Sequence, residues 1–160
     1  MKQLWLIFIS LIMAVGVFAN DSEVKLRTYY YDVCLEKTSV KEFASYLAIN
    51  ENKKDIITEG YRSVIWFLWA DYYFNPFKKW NCFLNGKQAL EMLIKENNSN
   101  VELRFLRLTI QENLPKLLGY NNKIEEDKTF INKHLHLVPD HDLLNRITNY
   151  LDDQKLTNIN

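Results

Sequence analysis

Residues 61–77 read YRSVIWFLWADYYFNPF, a stretch that is apolar or aromatic almost all the way round a helix. A helix with this pattern is buried on most sides, so these residues predict a central core helix. Trp66 and Trp69 are then core residues. The uninterrupted apolar run, residues 64–70, is far shorter than the roughly 20 residues that cross a bilayer. The alternative is a partly exposed aromatic face that receives a partner or an apolar ligand.

On either side of this segment, apolar residues recur at helical spacing, and no alternating run is long enough to propose a sheet. Capping signals and turns divide the chain into about seven helices. Their predicted ranges are 23–36, 39–49, 54–74, 76–97, 100–118, 122–136 and 140–153. Because the connections are short, the sequence predicts an all-α fold whose helices stack as antiparallel αα-hairpins, in the manner of a helical repeat.

The predicted helix boundaries depend on a few local signals. Residues 39–42 (SVKE) and 99–102 (SNVE) match capping boxes, in which a Ser oxygen and a Glu carboxylate satisfy free backbone amides. Asn75 is a cap followed by proline at the first helical position. Gly119 stands where a left-handed residue would end a helix, and Pro115 should kink or loosen the helix before it.

Residues 1–19 have the layout of a secretory signal peptide. Lys2 supplies a positive start, residues 4–17 are nearly all apolar, and small residues at Val17 and Ala19 flank the end of that run. We predict cleavage after Ala19. The alternative is an uncleaved N-terminal anchor, for which the apolar stretch is short.

Cleavage would leave residues 20–160 as a single domain whose polar tail, from Asp152 onward, frays. We expect an exported bacterial protein, periplasmic or secreted, with no membrane span after cleavage. Its 19 basic and 20 acidic side chains nearly balance, whereas a nucleic-acid binder normally has a basic excess. Nucleic acid is therefore not an expected partner. Cys34 and Cys82 could form a disulfide in an exported protein, and the alternative is two buried reduced thiols.

A polar stripe runs along the predicted fifth helix, and its members are Asn100, Arg104, Arg107 and Gln111. The apolar flanks on both sides look buried, and they consist of Val101, Phe105 and Leu108 on one side and Leu103, Leu106 and Ile110 on the other. A pair of guanidinium groups on a narrow stripe is suited to a carboxylate or phosphate. The candidate binding residues are therefore Arg104, Arg107, Gln111 and Tyr120. The alternative is that the arginines pair with internal acids such as Glu102 or Asp71, or face water.

The three histidines lie close together in the sequence, at His134, His136 and His141, beside Asp140 and Asp142. Imidazole and carboxylate groups are plausible zinc ligands. Residues two apart on a helix point in opposing directions, however, and Asp140 has a competing role as a helix cap. We expect no metal or other cofactor, and no nucleophile motif indicates an enzyme.

Residues 86–102 resemble the second helix of a tetratricopeptide unit and its exit turn, because Gly86 precedes the apolar Leu90 by four residues. A longer span, roughly residues 60–135, resembles a group of uncharacterised small exported bacterial helical proteins. That resemblance rests on the segments NPFKK (75–79), VELRFLRLTIQ (101–111), LGY (118–120) and IEEDK (124–128). It implies a helical fold and carries over no catalytic residues.

The function that these observations favour is an interaction or scaffold module in the cell envelope, with a protein as the expected partner. The first alternative is a binder of a small anionic or apolar ligand held between the third and fifth helices. The second is a metal-dependent hydrolase that uses the His/Asp cluster. An exposed aromatic patch would favour the interaction module.

Overall fold

A computed structural model describes residues 21–49 and 55–157, so the predicted signal peptide lies outside the described residues. Within these ranges the chain forms seven α-helices and no strand. They are α1 (Asp21–Cys34), α2 (Val40–Ile49), α3 (Ile56–Tyr72), α4 (Pro76–Glu96), α5 (Val101–Asn113), α6 (Ile124–His134) and α7 (His141–Thr157). Two short 3-10 helices follow α5 and α6, at Lys116–Leu118 and Leu135–Leu137. The predicted all-α fold is confirmed.

The largest boundary difference is at the end of α5, which stops at Asn113 and not at residue 118. Pro115 follows at once, and a proline both lacks the N–H that a helix needs and disfavours helical backbone in the residue before it. Gly119 adopts the predicted left-handed conformation, with φ of 61°, but it ends the short 3-10 turn. The last helix continues to Thr157, beyond the predicted end at residue 153. The fraying of the tail remains a prediction.

Two of the three predicted caps form as expected. The Ser39 N–H donates to Glu42 Oε2 over 2.9 Å, and the Glu42 N–H donates to Ser39 Oγ over 3.2 Å, which completes a capping box. The Asn75 side chain accepts from the first two free amides of α4. The predicted box at 99–102 is wrong, because Asn100 caps α5 and the Glu102 carboxylate binds Arg27 instead.

The most buried helix is α5, which lies between two hydrophobic clusters. Leu103, Leu106 and Ile110 enter a large cluster built with α1 to α4. Phe105 and Leu108 enter a smaller cluster built with α6 and α7. The prediction that both apolar flanks of this helix are buried is confirmed except at Val101, which is partly buried. Helix α5 thus takes the central position that the aromatic pattern assigned to α3.

The prediction that Trp66 is a core residue is wrong, since 40% of it is exposed, while Trp69 is only partly buried against the large cluster. The buried residues of α3 all lie between positions 58 and 67. Phe67 packs beneath α4, where a Cβ added to Gly86 would lie 2.8 Å from its ring. Because consecutive residues on a helix are rotated by about 100°, Trp66 points away from that contact.

Gly86 permits this close approach of α3 to α4. Gly60 does the same on the other side of α3, where an added Cβ would lie 2.7 Å from Leu103 Cδ2 of α5. Helices α3 and α5 are therefore in direct contact at this point, where a ligand between them would have no space. Among the helices in the described ranges, none combines the length and apolar character that crossing a membrane requires.

Candidate functional site

The structure brings three of the four predicted binding residues, Arg104, Arg107 and Tyr120, onto two acids, Asp127 and Glu91. The Arg107 guanidinium donates to both carboxylate oxygens of Asp127, through Nε and Nη2, each over 2.7 Å. Its Nη1 donates to Glu91 Oε2, also over 2.7 Å. Only 3% of Arg107 is exposed, and Asp127 is fully buried. The guanidinium is thus enclosed by helices α4 and α6 on either side of α5.

Arg104 and Tyr120 join the same network, whereas Gln111 bonds to the backbone and its buried side-chain nitrogen has no hydrogen-bond partner within the described part of the chain. Arg104 donates to Asp127 Oδ1 over 3.0 Å, and its guanidinium lies 4.1 Å above the Phe130 ring. The Tyr120 hydroxyl donates to Glu91 Oε1 over 2.7 Å. The Gln111 side-chain oxygen accepts from a backbone N–H just before α6, over 3.1 Å. The pKa of Tyr120 is raised well above its usual range, mainly by burial and next by the hydrogen bond to Glu91.

These contacts favour internal pairing over ligand binding. An anion could reach Arg107 only by displacing Asp127 or Glu91, and a carboxylate already held by two charge-assisted hydrogen bonds is a strong competitor. Arg104 and Arg107 bind Asp127, Glu91 and Glu126. They do not bind Glu102 or Asp71, the partners that the sequence suggested. The role of this network in the described structure is to join α4, α5 and α6.

A second buried ion network is centred on Arg27, which the sequence did not single out. Arg27 is 1% exposed and donates from Nε and Nη2 to the two oxygens of Glu102, each over 2.8 Å. Its Nη1 donates to Asp140 Oδ2 over 2.7 Å. The Tyr61 hydroxyl donates to Glu102 over 3.0 Å. The available signal was its place in α1 between Leu26 and Tyr30, which are both buried.

The histidines do not converge on one another as metal ligands. His134 Nδ1 lies 2.7 Å from the Phe130 carbonyl oxygen, and the imidazole stacks on the Phe130 ring. Asp140 caps α7 by accepting from two backbone amides while it binds Arg27, which confirms its role as a cap. In residues 21–49 and 55–157, no group of three or more His, Cys, Asp or Glu side chains is arranged to hold a metal ion.

The two cysteines occupy different environments, because Cys34 is exposed at the end of α1 and Cys82 is buried in α4. Both thiols are free in the structure. The disulfide that the exported context allows is not formed in it.

An unusual surface lies at the connection between α3 and α4. We call it the aromatic tip, and it consists of Trp69, Tyr72, Tyr73, Phe74, Phe77 and Trp80. The exposed fraction is 101% for Phe74, 80% for Phe77 and 49% for both Tyr72 and Trp80. Together with Trp66, these four are all the exposed aromatic residues in the described part of the chain. The other exposed large apolar residues in the described part of the chain are not aromatic, and they are Leu35, Ile49, Leu84, Met92, Leu117 and Leu137.

The chain conformation explains why these rings are outside the core. Helix α3 ends at Tyr72, Tyr73 is extended, and Asn75 starts α4 as its cap, so the chain reverses within three residues. Phe74 sits at the outermost point of this reversal and has no neighbouring helix to cover it. Trp80 connects the tip to the hydrophobic core, because the centre of its ring lies 5.4 Å from the ring centre of the buried Phe83.

Lysines surround the aromatic tip. The Lys41 ammonium lies 5.2 Å from the centre of the Tyr72 ring, and the Lys78 ammonium lies 5.3 Å from that of Tyr73. Such distances are typical of cation–π contacts. Lys79 is exposed beside them. Hydrogen bonding to Tyr72 raises the pKa of Lys41 above its usual value, so this lysine is charged at neutral pH.

Fold and surface together define an all-helical domain with two buried ion networks and one exposed aromatic tip. Comparison of the chain with models of protein families, with curated proteins and with solved structures finds no match.

Proposed function

We propose that the protein is an exported interaction module of the cell envelope that docks through its aromatic tip, and that it is not an enzyme. The observation that carries the proposal is that, within residues 21–49 and 55–157, the exposed aromatic residues are confined to positions 66–80. Contiguous exposed apolar patches on soluble proteins commonly mark interaction sites, whereas single exposed side chains need no explanation. Aromatic rings also contribute a large share of the binding energy at interfaces.

The buried polar groups support the same proposal. The two arginine networks pair their charged groups internally, so they supply neither an accessible nucleophile nor a free base. The polar residues thus contribute to the fold, while the surface that is free to bind is the tip. The export of the protein rests on the signal-peptide layout of residues 1–19, and sequencing of the exported protein should give an N-terminus at Asn20.

The proposal can be tested by binding to isolated cell envelopes. The full chain is expressed, purified after export, mixed with envelopes and pelleted. We expect the wild type to pellet and the variant Phe74→Ser/Phe77→Ser to stay in the supernatant. Because both rings are exposed, the variant should keep the wild-type helical dichroism and unfold within about 0.5 kcal/mol of the wild type.

The matched control is Leu117→Ser/Leu137→Ser, which removes two apolar side chains that are 88% and 63% exposed but lie outside the tip. This control should pellet like the wild type. Equal pelleting of the tip variant and the wild type would show that the tip is not the docking surface, and the proposal would then be abandoned.

A further inference from the structure

The aromatic tip adjoins a stretch of the chain that lacks acidic residues. Residues 72–90 include three lysines (Lys78, Lys79 and Lys87) and no Asp or Glu, although the chain as a whole has equal numbers of basic and acidic side chains. Glu91, which follows this range, is engaged by Arg107. Asp71, which precedes it, is exposed between Trp69 and Tyr72, so within the tip Lys78 and Lys79 outnumber one acid. The local charge of the tip and of the first half of α4 is therefore positive.

These lysines are available to a partner. Each of the five arginines in the chain already forms an ion pair with a carboxylate, and they are Arg27, Arg62, Arg104, Arg107 and Arg146. In contrast, none of the carboxylates in the described ranges pairs with Lys41, Lys78 or Lys79. The positive charge that remains open to solvent is thus carried by lysines, and these three adjoin the exposed rings.

The shape of the tip is convex. Phe74 is as exposed as it would be in an isolated peptide, and Phe77 is nearly so. A rigid protein partner would need a pocket for each ring, whereas a lipid surface deforms around projecting side chains. Tyr and Trp rings favour the boundary between headgroups and acyl chains, and a lysine beside them can extend its ammonium group towards the headgroups.

We propose that the aromatic tip binds the surface of an anionic lipid bilayer, with Phe74 and Phe77 inserted at the level of the headgroups. Lys41, Lys78 and Lys79 face the lipid phosphates. This inference rests on the proposed function and names the partner of the same surface as lipid, where the sequence favoured a protein. The contact is shallow and peripheral, because it uses a helical connection and not a membrane span.

The test uses protein purified after export from the full chain and protein-free vesicles of two compositions. One is pure phosphatidylcholine, and in the other about a third of the lipid is phosphatidylglycerol, which supplies negative surface charge. We expect sedimentation and a blue shift of tryptophan emission with the anionic vesicles alone. At about 1 M salt, where screening acts within about 3 Å, the binding should be largely lost.

Two variants separate the charge contribution from the aromatic one. Lys78→Gln/Lys79→Gln should weaken binding to anionic vesicles about 30-fold, from the usual contribution of each lysine near such a surface. Phe74→Ser/Phe77→Ser should abolish binding to both vesicles and envelopes. The charge-matched control Lys116→Gln/Lys133→Gln alters two exposed lysines outside the tip and should bind like the wild type.

The outcomes distinguish this inference from the proposed function. If envelopes bind the wild type through the tip but anionic vesicles do not, the lipid inference is wrong and the docking function stands with a protein partner. Equal loss of vesicle binding in the two lysine variants would also overturn the inference, because it would show an attraction that is not local to the tip. Binding to envelopes that does not depend on the tip would overturn both.

Discussion

Helix α5 and the aromatic tip reverse the usual distribution of side chains between interior and surface. In α5, Glu102 and Arg107 are each 3% exposed. In the tip, Phe74 and Phe77 are almost entirely exposed. The comparison shows that position in the packing decides burial here, and that residue type alone does not. Helix α5 has neighbours on both sides, whereas the tip extends past the helices that could cover it.

The two regions also differ in what each charge or ring requires. A buried charge is tolerated only when it is paired and hydrogen-bonded. Arg27 and Arg107 meet this condition, because each forms a bidentate contact with a carboxylate. An exposed ring needs no partner for the fold, so its substitution leaves stability almost unchanged. The buried ion networks should therefore control stability and the tip should control binding.

The largest expected effect concerns the buried network of α1. Arg27→Ala leaves Glu102 buried without its cation, and breaking a buried pair in this way costs about 3–5 kcal/mol of unfolding free energy. Urea unfolding monitored by far-ultraviolet dichroism measures this loss. Lys25→Ala, which breaks an exposed pair with Asp21 in the same helix, is the control and should shift the midpoint little. A similar midpoint for the two variants would contradict the assignment of Arg27 to the core.

A smaller effect is expected from two adjacent aromatic residues of α3. Phe67→Ala removes a ring that is 5% exposed and should cost about 3 kcal/mol. Trp66→Ala removes a larger ring that is 40% exposed and should cost less than about 1 kcal/mol. Thermal and urea unfolding of the two variants test the boundary between core and surface directly. If Trp66→Ala proved the more damaging of the two, the orientation of α3 would have to be revised.

The smallest expected effect is the loss of unfolding free energy at low pH that results from protonation of Asp140. Partial burial raises the pKa of Asp140, but hydrogen bonds from Arg27 and from the backbone amides of Leu143 and Asp142 outweigh it, so the pKa lies below the ordinary 3.8. A carboxyl group whose pKa is lowered by folding stabilises the protein above its unfolded pKa, and this contribution disappears as the pH falls through the folded pKa. Stability should therefore decline below about pH 4.

The matched variant for this prediction is Asp140→Asn. Asparagine still caps a helix but does not titrate, so the variant should be less stable at neutral pH and should show a shallower decline in acid. Unfolding free energies measured between neutral pH and acid provide the comparison. An unchanged acid slope would mean that other carboxyl groups dominate it.

The sequence predicted the fold well because the fold depends on local signals. Apolar spacing located all seven helices, and the Asn75 cap and the box at 39–42 fixed two helix starts. The burial of both flanks of α5 could also be predicted, because each flank is a continuous apolar row that is separated from the other by polar residues.

The exposed surface that we propose for docking was harder to predict, for a physical reason. A helix that is aromatic all round carries no periodicity, so nothing in residues 61–77 distinguishes the side facing Gly86 from the side bearing Trp66. Ion-pair partners are similarly hard to predict from sequence, since Arg27 and Glu102 are 75 residues apart in the chain. The lysines and aromatic residues of the tip were visible, but their exposure depends on where the neighbouring helices end.

The contacts of Arg27 have a consequence for how the chain folds. This residue lies near the start of the described chain, and its carboxylate partners in α5 and at the cap of α7 follow it by 75 and 113 residues. A chain synthesised from its N-terminus cannot complete this network until nearly the whole domain has emerged, and contacts of such long range slow folding. Helix α1 can pack its apolar residues against α2 to α5 earlier, but Arg27 meets its partner Asp140 only when the start of the last helix is present. The ion network of Arg27 is therefore expected to form late in folding, after its partners in α5 and at the start of α7 are in place.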